Sequence, residues 1–262
     1  MSTRFIKLKS FFGSSIIGTL GGLIGLGGAE FRLPFLVGIL KIDTLHAIIL
    51  NLSISLVTVF FALVFRGVDA NILSHGYIVL NLLSGTLIGA YIGVSYATKI
   101  DKRTLHTLIF YLLIFLSLVL FSHIFIEVKS ALILPLIFQI VLGFILGIGI
   151  GMVSSLLGVA GGELLIPTIV LLYATDIKTA GTLSLAISLP TLLVGLYRYH
   201  KNGRLLEVLS FRDILIWMSI GSIIGAFIGA ILFGIMDAKF IEFFLAIILL
   251  LSAYKLFKKE KK

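Results

Sequence analysis

Long apolar stretches dominate the chain, and polar residues are mostly confined to the short segments between them. Three of these stretches cover residues 76–98, 105–125 and 211–235, each close to the roughly 20 residues that a helix needs to cross a bilayer. They lack the two-residue alternation of a membrane β-barrel, and lipid then leaves only the helix for a spanning chain. The pattern predicts an all-α integral membrane protein.

The order of apolar and glycine-rich segments is repeated along the chain. Residues 18–34 (GTLGGLIGLGGAEFRLP) align with residues 151–167 (GMVSSLLGVAGGELLIP) at an offset of 133. Residues 85–101 (GTLIGAYIGVSYATKID) align with residues 221–237 (GSIIGAFIGAILFGIMD) at an offset of 136. Two matching blocks in the same order indicate an internal duplication. We therefore predict two homologous halves, a first transmembrane repeat at 1–130 and a second at 131–262.

Each repeat is predicted to contain a glycine-broken helical pair followed by three longer spans, which gives about eight transmembrane helices. The predicted segments of the first repeat are 11–27, 33–40, 45–65, 76–98 and 105–125. Those of the second repeat are 132–158, 164–173, 179–199, 211–235 and 240–257.

The positions of the basic residues favour inverted repeats. If each broken pair is a hairpin that returns to its own side, each repeat crosses the membrane three times and the halves are inverted. Sixteen Lys and Arg residues then lie on the cytoplasmic side and four outside, as the positive-inside rule requires. Eight plain spans would instead move Lys99, Lys102 and Arg103 outside. We predict a multi-pass protein of the cell membrane with both termini in the cytoplasm.

Composition supports the membrane assignment and narrows the partners. Of the 262 residues, 59% are hydrophobic and 13% charged, which is too apolar for a soluble domain. The formal charge of +9 comes from basic residues at the ends of spans, so we expect the lipid bilayer as their partner and no nucleic acid. The absence of cysteine excludes disulfides and thiolate metal sites, and the five histidines lack metal-ligand spacing. We expect no cofactor, no metal and no catalytic residue.

Glycines interrupt the first apolar segment of each repeat. A proline follows six residues after Gly28 and six after Gly161, and proline is best tolerated in the first turn of a helix. This pattern predicts a discontinuous helix at each break, with the start of the new helix facing an anion at a shared central site. The alternative is that these glycines only allow close helix packing. Packing is our interpretation of the later glycines, Gly85, Gly89, Gly93, Gly221, Gly225 and Gly229.

Polar residues near the breaks are candidate ligands. Glu30 and Glu163, at equivalent positions, either carry a coupling proton or cap the new helix. Arg32 either binds the anion through its guanidinium fork, snorkels to an interface or pairs with Glu30. Hydroxyls and an amide on the following span either replace the hydration shell of the anion or join helices. The predicted substrate-binding set is Gly25, Gly27, Gly28, Glu30, Arg32, Pro34, Asn51, Ser53, Ser55, Gly158, Gly161, Gly162, Glu163, Pro167, Ser184 and Ser188.

The motifs GLGGAEFRLP and GVAGGELLIP, the stretches AIILNLSIS and AGTLSLAIS, and the GxxxGAxxG blocks resemble the sulfite exporter TauE/SafE family over nearly the whole chain. This resemblance implies a secondary transporter that moves a small anion by alternating access: sulfite, an organosulfonate or a related sulfur-containing anion. Ala160, where the first repeat has Gly27, departs from the pattern.

Two other functions compete with secondary transport. A passive anion channel would share the dipole-lined site without alternating access. A membrane-embedded enzyme is less favoured because the chain has neither an H-E-x-x-H nor a G-x-S-x-G motif. The absence of a phosphate-binding loop favours an ion or solute gradient as the energy source. The sequence is compatible with a homodimer but does not require one.

Overall fold

The computed structural model describes residues 3–67, 74–96, 111, 114, 117, 118 and 135–260. The elements in these residues are helical, and none of these residues is in a strand. A π-helical turn spans Phe35–Ile39, and a 3-10 turn spans Leu206–Phe211. The predicted span 105–125 lies outside the described residues apart from four positions. The helices are α1 (Thr3–Ile24), α2 (Ala29–Pro34), α3 (Thr44–Arg66), α4 (Gly76–Tyr96), α5 (Leu136–Leu157), α6 (Gly162–Tyr173), α7 (Ile177–Lys201), α8 (Arg212–Ile235) and α9 (Ala238–Glu260).

Five of the described helical segments are long and apolar enough to cross a membrane. They are Leu45–Arg66, Gly76–Ser95, Leu136–Leu157, Ile177–Lys201 and Leu206–Ile235. Their outer faces carry large apolar side chains such as Leu80, Ile137 and Phe227, which are 68%, 64% and 50% exposed. Because water would penalise such a surface and lipid would not, the protein is embedded in a membrane.

The two repeats contact each other through two helix pairs, and each pair contains one helix from each repeat. In one pair, Gly221 of α8 lies against the carbonyl of Phe11 of α1. Four residues further on, Gly225 lies against the carbonyl of Ser15, so α1 and α8 run in the same direction. The packing role predicted for these glycines is confirmed, since a side chain there would enter the backbone of the facing helix.

The second pair has the same geometry with the repeats interchanged. Gly85 of α4 lies against the backbone of α5 near Phe144, and Gly89 lies against Ile148. Each repeat therefore packs its first helix against the glycine-rich helix of the other repeat.

Glycine conformation produces both breaks. After α1 ends at Ile24, Gly25, Gly27 and Gly28 take φ values of 97°, 78° and 71°. After α5, Gly158 and Gly161 take φ values of 68° and 80°. Residues with a Cβ rarely adopt this left-handed region, so these positions require glycine.

The predicted position of the prolines is wrong. The new helices begin at Ala29 and Gly162, directly after a left-handed glycine, so each proline is the sixth helical residue and not part of the first turn. A proline there removes the hydrogen bond to the carbonyl four residues before it. After Pro34 the chain continues as the π-helical turn, whereas α6 continues as an α-helix to Tyr173. The predicted segments 33–40 and 164–173 therefore start too late.

Each broken pair folds back on itself. Gly28 lies against the carbonyl of Ile17, and the ring of Phe35 lies against Gly13, so α2 returns along α1. In the second repeat, Asn81 donates both to the hydroxyl of Tyr173 at 2.8 Å and to the carbonyl of Gln139 at 3.3 Å. The end of α6 therefore lies level with the beginning of α5.

Candidate functional site

The two glycine breaks lie against each other in the interior of the protein. A Cβ on Gly162 would lie 2.7 Å from Cα of Leu26, and a Cβ on Gly27 would lie 2.9 Å from Cβ of Ala160. Residues 21–29 and 160–170 are all buried. The methyl group of Ala160 fits because residue 27 has no side chain, which accounts for the departure from strict repetition. The structure thus brings together the predicted glycines of both repeats.

Aligned side chains cross-link the breaks. Nδ2 of Asn51 donates to the carbonyl of Gly158 in the other repeat at 2.7 Å and to the carbonyl of Ala29 at 2.9 Å. Ser184, which aligns with Asn51, donates to the carbonyl of Gly25 at 2.8 Å. Each repeat therefore holds the break of the other by a hydrogen bond to an unwound backbone carbonyl.

Arg32 lies beside these contacts with no exposed surface. Its Nη1 donates to Ser55 at 2.8 Å and Asn51 at 3.4 Å. Its Nη2 donates to Thr58 at 3.0 Å, and to the Gly27 carbonyl and Ser222 at 3.3 Å each. Nε is buried and has no hydrogen-bond partner among the described residues. Because Arg32 is fully buried, the snorkelling interpretation is wrong. We call its five acceptors, on Gly27, Asn51, Ser55, Thr58 and Ser222, the Arg32 cradle.

Two carboxylates accompany the breaks. Glu30 and Glu163 occupy the first turns of α2 and α6; both oxygens of Glu30 are out of contact with solvent, and Glu163 is 7% exposed. Glu30 interacts electrostatically with Arg32. Since each new helix already has a carboxylate at its positive end, helix dipoles alone do not favour an added anion. The positive charge of Arg32 is the stronger attraction.

The family model of the sulfite exporter TauE/SafE matches residues 2–120 and 142–262. The chain belongs to this family. The match confirms the resemblance drawn from the motifs, and its two stretches agree with the internal repeat. TauE/SafE proteins are membrane transporters of sulfur-containing anions. Comparison with curated proteins and with solved structures finds no match.

Not every predicted ligand of this TauE/SafE chain reaches the breaks. The hydroxyl of Ser53 donates to the carbonyl of Ile49 within its own helix at 2.9 Å, and Pro34 is exposed. Ser188 does reach the second break, donating to the carbonyl of Ala160 at 2.8 Å. Ser222 was missed, although it aligns with Thr86 inside the repeated glycine block.

Arg66 is a second residue near the breaks that was not predicted from the sequence of this TauE/SafE chain. Its guanidinium donates to the carbonyls of Gly22 at 2.8 Å and Leu23 at 2.9 Å, in the last turn of α1 before the break. It also lies 3.8 Å from the ring centre of Phe233. The aligned residue, Tyr199, donates to the carbonyl of Ser155 in the last turn of α5 at 3.2 Å. Arg66 and Tyr199 align at the offset of 133 but differ in residue type, so only the structure shows that both bond to the helix before a break.

Other features of the TauE/SafE chain lie apart from the breaks. A cavity of about 570 Å³ is lined by Tyr77, Leu80, Asn81, Leu136 and Ile140, none of which belongs to a break. Within the described ranges, no three His, Cys, Asp or Glu side chains form a group that could hold a metal ion.

Proposed function

We propose that the protein is a secondary transporter that moves a small sulfur-containing oxyanion, such as sulfite or an organosulfonate, across the cytoplasmic membrane by alternating access. The observation that carries this proposal is the fully buried guanidinium of Arg32 beside the contact of the two breaks. Membership of the TauE/SafE family supports the class of solute.

The chemistry of Arg32 suits an oxyanion. Removing a guanidinium from water costs several kcal/mol, so a buried charge within a membrane segment points to a functional role. Its planar fork matches two oxygens of an anion. Nε is free to donate, and the bonds of 3.3–3.4 Å to Gly27, Asn51 and Ser222 are long enough to be exchanged for anion oxygens. The shorter bonds to Ser55 and Thr58 would keep the guanidinium in place.

Inverted repeats are part of the proposal, and contacts between α3 and α7 support them. Arg66, the last residue of α3, donates to Thr182 near the start of α7 at 3.3 Å. Tyr199, near the end of α7, bonds to the last turn of α5, and the adjoining Gly158 lies against Ile48 near the start of α3. These contacts are those of two antiparallel helices, although α3 and α7 align in sequence. Together with the hairpins, they favour three crossings per repeat, and the distribution of basic residues then favours cytoplasmic termini.

Transport by purified protein in lipid vesicles tests the proposal. We expect wild-type protein to accumulate sulfite or an organosulfonate under an imposed ion gradient and to saturate, with phosphate as a comparison anion. Arg32→Lys, which keeps the charge but loses the fork, should lower uptake about 10-fold or more, because a charged hydrogen bond contributes roughly 1.5–3 kcal/mol. Arg32→Gln should abolish uptake.

The matched control is Arg204→Gln, which removes an exposed guanidinium paired with Glu207 and should leave uptake unchanged. Downhill, unsaturable flux would favour a channel over a transporter. Wild-type kinetics in Arg32→Gln would show that Arg32 is structural.

A further inference from the structure

Each of the five residues of the Arg32 cradle supplies an oxygen, and the residue aligned with it in the other repeat also carries an oxygen. The carbonyl of Gly27 aligns with that of Ala160, and Ser222 aligns with Thr86. Asn51, Ser55 and Thr58 align with three hydroxyl residues of α7, which are Ser184, Ser188 and Thr191. We call this set, the carbonyl of Ala160 with Thr86, Ser184, Ser188 and Thr191, the second oxygen cluster.

The second oxygen cluster is assembled in the structure. Ser188 lies 2.8 Å from the carbonyl of Ala160, and the hydroxyls of Thr191 and Thr86 lie 2.9 Å apart. Ser184, Ser188 and Thr191 lie on one face of α7, since they are separated by four and three residues. The four side chains are at most 3% exposed. Two pairs of these oxygens, Ser188 with Ala160 and Thr191 with Thr86, are therefore gathered out of water, and Ser184 lies one turn before Ser188 on the same face of α7.

The two clusters differ in the residue that supplies a positive charge. Leu165 occupies the position of Arg32 and is packed in the apolar core at 1% exposure. The second oxygen cluster therefore has the oxygens of the Arg32 cradle without its cation. Glu163, which aligns with Glu30, places a carboxyl group in the first turn of the adjoining helix α6.

These ligands suit a sodium ion. Hydroxyls and unwound backbone carbonyls are the ligands that bind Na⁺ at broken helices in transporters, and hard cations prefer oxygen. Thr191 donates its proton to the carbonyl of Ile187 at 2.8 Å, which leaves a lone pair for an ion. Ser184 likewise donates to carbonyls at 2.8 and 2.9 Å.

We propose that the second oxygen cluster binds one Na⁺ ion, which plays in the second repeat the part that the guanidinium of Arg32 plays in the first. A role as coupling ion rests on the transport function proposed above, whereas Na⁺ binding itself can be measured without any transported anion.

The melting temperature of the full-length protein in detergent tests this site. We expect NaCl to raise it, relative to choline chloride at equal ionic strength, in a saturable manner and by on the order of 5 °C at 100 times the dissociation constant. Ser188→Ala and Thr191→Val should lose the shift. Thr168→Val is the matched control and should keep the shift, because the buried hydroxyl of Thr168 lies outside the second oxygen cluster and donates to the carbonyl of Leu164 in its own helix at 2.6 Å.

A complementary variant, Leu165→Arg, supplies the missing cation covalently and should make the melting temperature independent of Na⁺. If this variant does not fold, the Ser188→Ala result decides. Equal melting temperatures in NaCl and choline chloride, or a Na⁺ shift retained in Ser188→Ala, would overturn the inference. A normal Na⁺ shift without anion transport would overturn the transport function and leave the cation site standing.

Discussion

Arg32 holds a positive charge where water does not reach it, and its surroundings offset the loss of hydration unevenly. The bonds to Ser55 and Thr58, at 2.8 and 3.0 Å, are short. The remaining bonds of the cradle are 3.3–3.4 Å long, so they contribute less. Glu30 adds a negative charge that attracts the guanidinium. A transported anion would therefore compete with Glu30 for the charge of Arg32.

Removing the carboxylate of Glu30 tests whether it competes with the anion for Arg32. Glu30→Gln should lower the half-saturating anion concentration about 3-fold to 10-fold, because a charge interaction of about 1 kcal/mol or more no longer opposes the anion. The measurement is the concentration dependence of uptake in vesicles. Glu207→Gln, which removes a carboxylate paired with Arg204 outside the breaks, is the control. An unchanged or higher half-saturating concentration in Glu30→Gln would contradict a competing role.

Sequence comparison of the repeats could identify Arg32 as an exception but not its environment. The alignment shows Leu165 opposite it, which made a special role worth considering. Its burial and its bond to Ser222, 190 residues further along the chain, depend on α8 lying beside α3. No local pattern encodes that neighbour.

At the scale of elements, glycines perform two separate tasks that look alike in sequence. Those at the breaks supply left-handed backbone, whereas those of α4 and α8 let two helices approach until their backbones touch. The four-residue spacing of the second group predicted the packing face correctly. The start of each new helix was predicted too late because the prolines were taken as the start signal, although a left-handed glycine had already ended the break.

The close contact between α1 and α8 depends on the glycines of α8. A Cβ on Gly225 would lie 2.7 Å from the amide nitrogen of Thr19, and backbone atoms on both sides cannot move away cheaply. Gly225→Ala should therefore lower the melting temperature, in keeping with the cost of about 1–3 kcal/mol for overpacking.

Gly234→Ala on the same helix is the matched control, since nothing lies within 4 Å of the added methyl group. It should hold or raise the melting temperature, because alanine favours a helix by about 1 kcal/mol over glycine. Equal melting temperatures for the two variants would show that the α1–α8 contact is looser than described.

In the whole molecule, neither repeat is fully packed by its own helices. The first helix of each repeat rests on the other repeat, and Asn51 and Ser184 bond across the same boundary. Movement of one repeat against the other would therefore change both breaks together, as alternating access requires. The buried breaks indicate that this conformation is closed to solvent around them.

The topology of the two repeats in the membrane can be tested by labelling introduced cysteines. The chain has no cysteine, so a single introduced cysteine can be labelled selectively. With inverted repeats, Lys102→Cys should react with a membrane-impermeant thiol reagent only after cells are permeabilised, and Lys239→Cys should react in intact cells, because that topology would place the first position in the cytoplasm and the second outside. Labelling of Lys102→Cys in intact cells would favour eight plain spans.

The sequence by itself determined the membrane class, the duplication, the location of both breaks and the family. These follow from the length of apolar runs, from self-similarity and from glycine, all of which are properties of neighbouring positions along the chain. Only the tertiary structure decided that the breaks touch each other, that Ala160 fits against Gly27, and that Arg32 is enclosed by hydroxyls of both repeats. Those contacts arise when helices distant in sequence pack side by side, because only then do their polar groups find partners away from water and lipid.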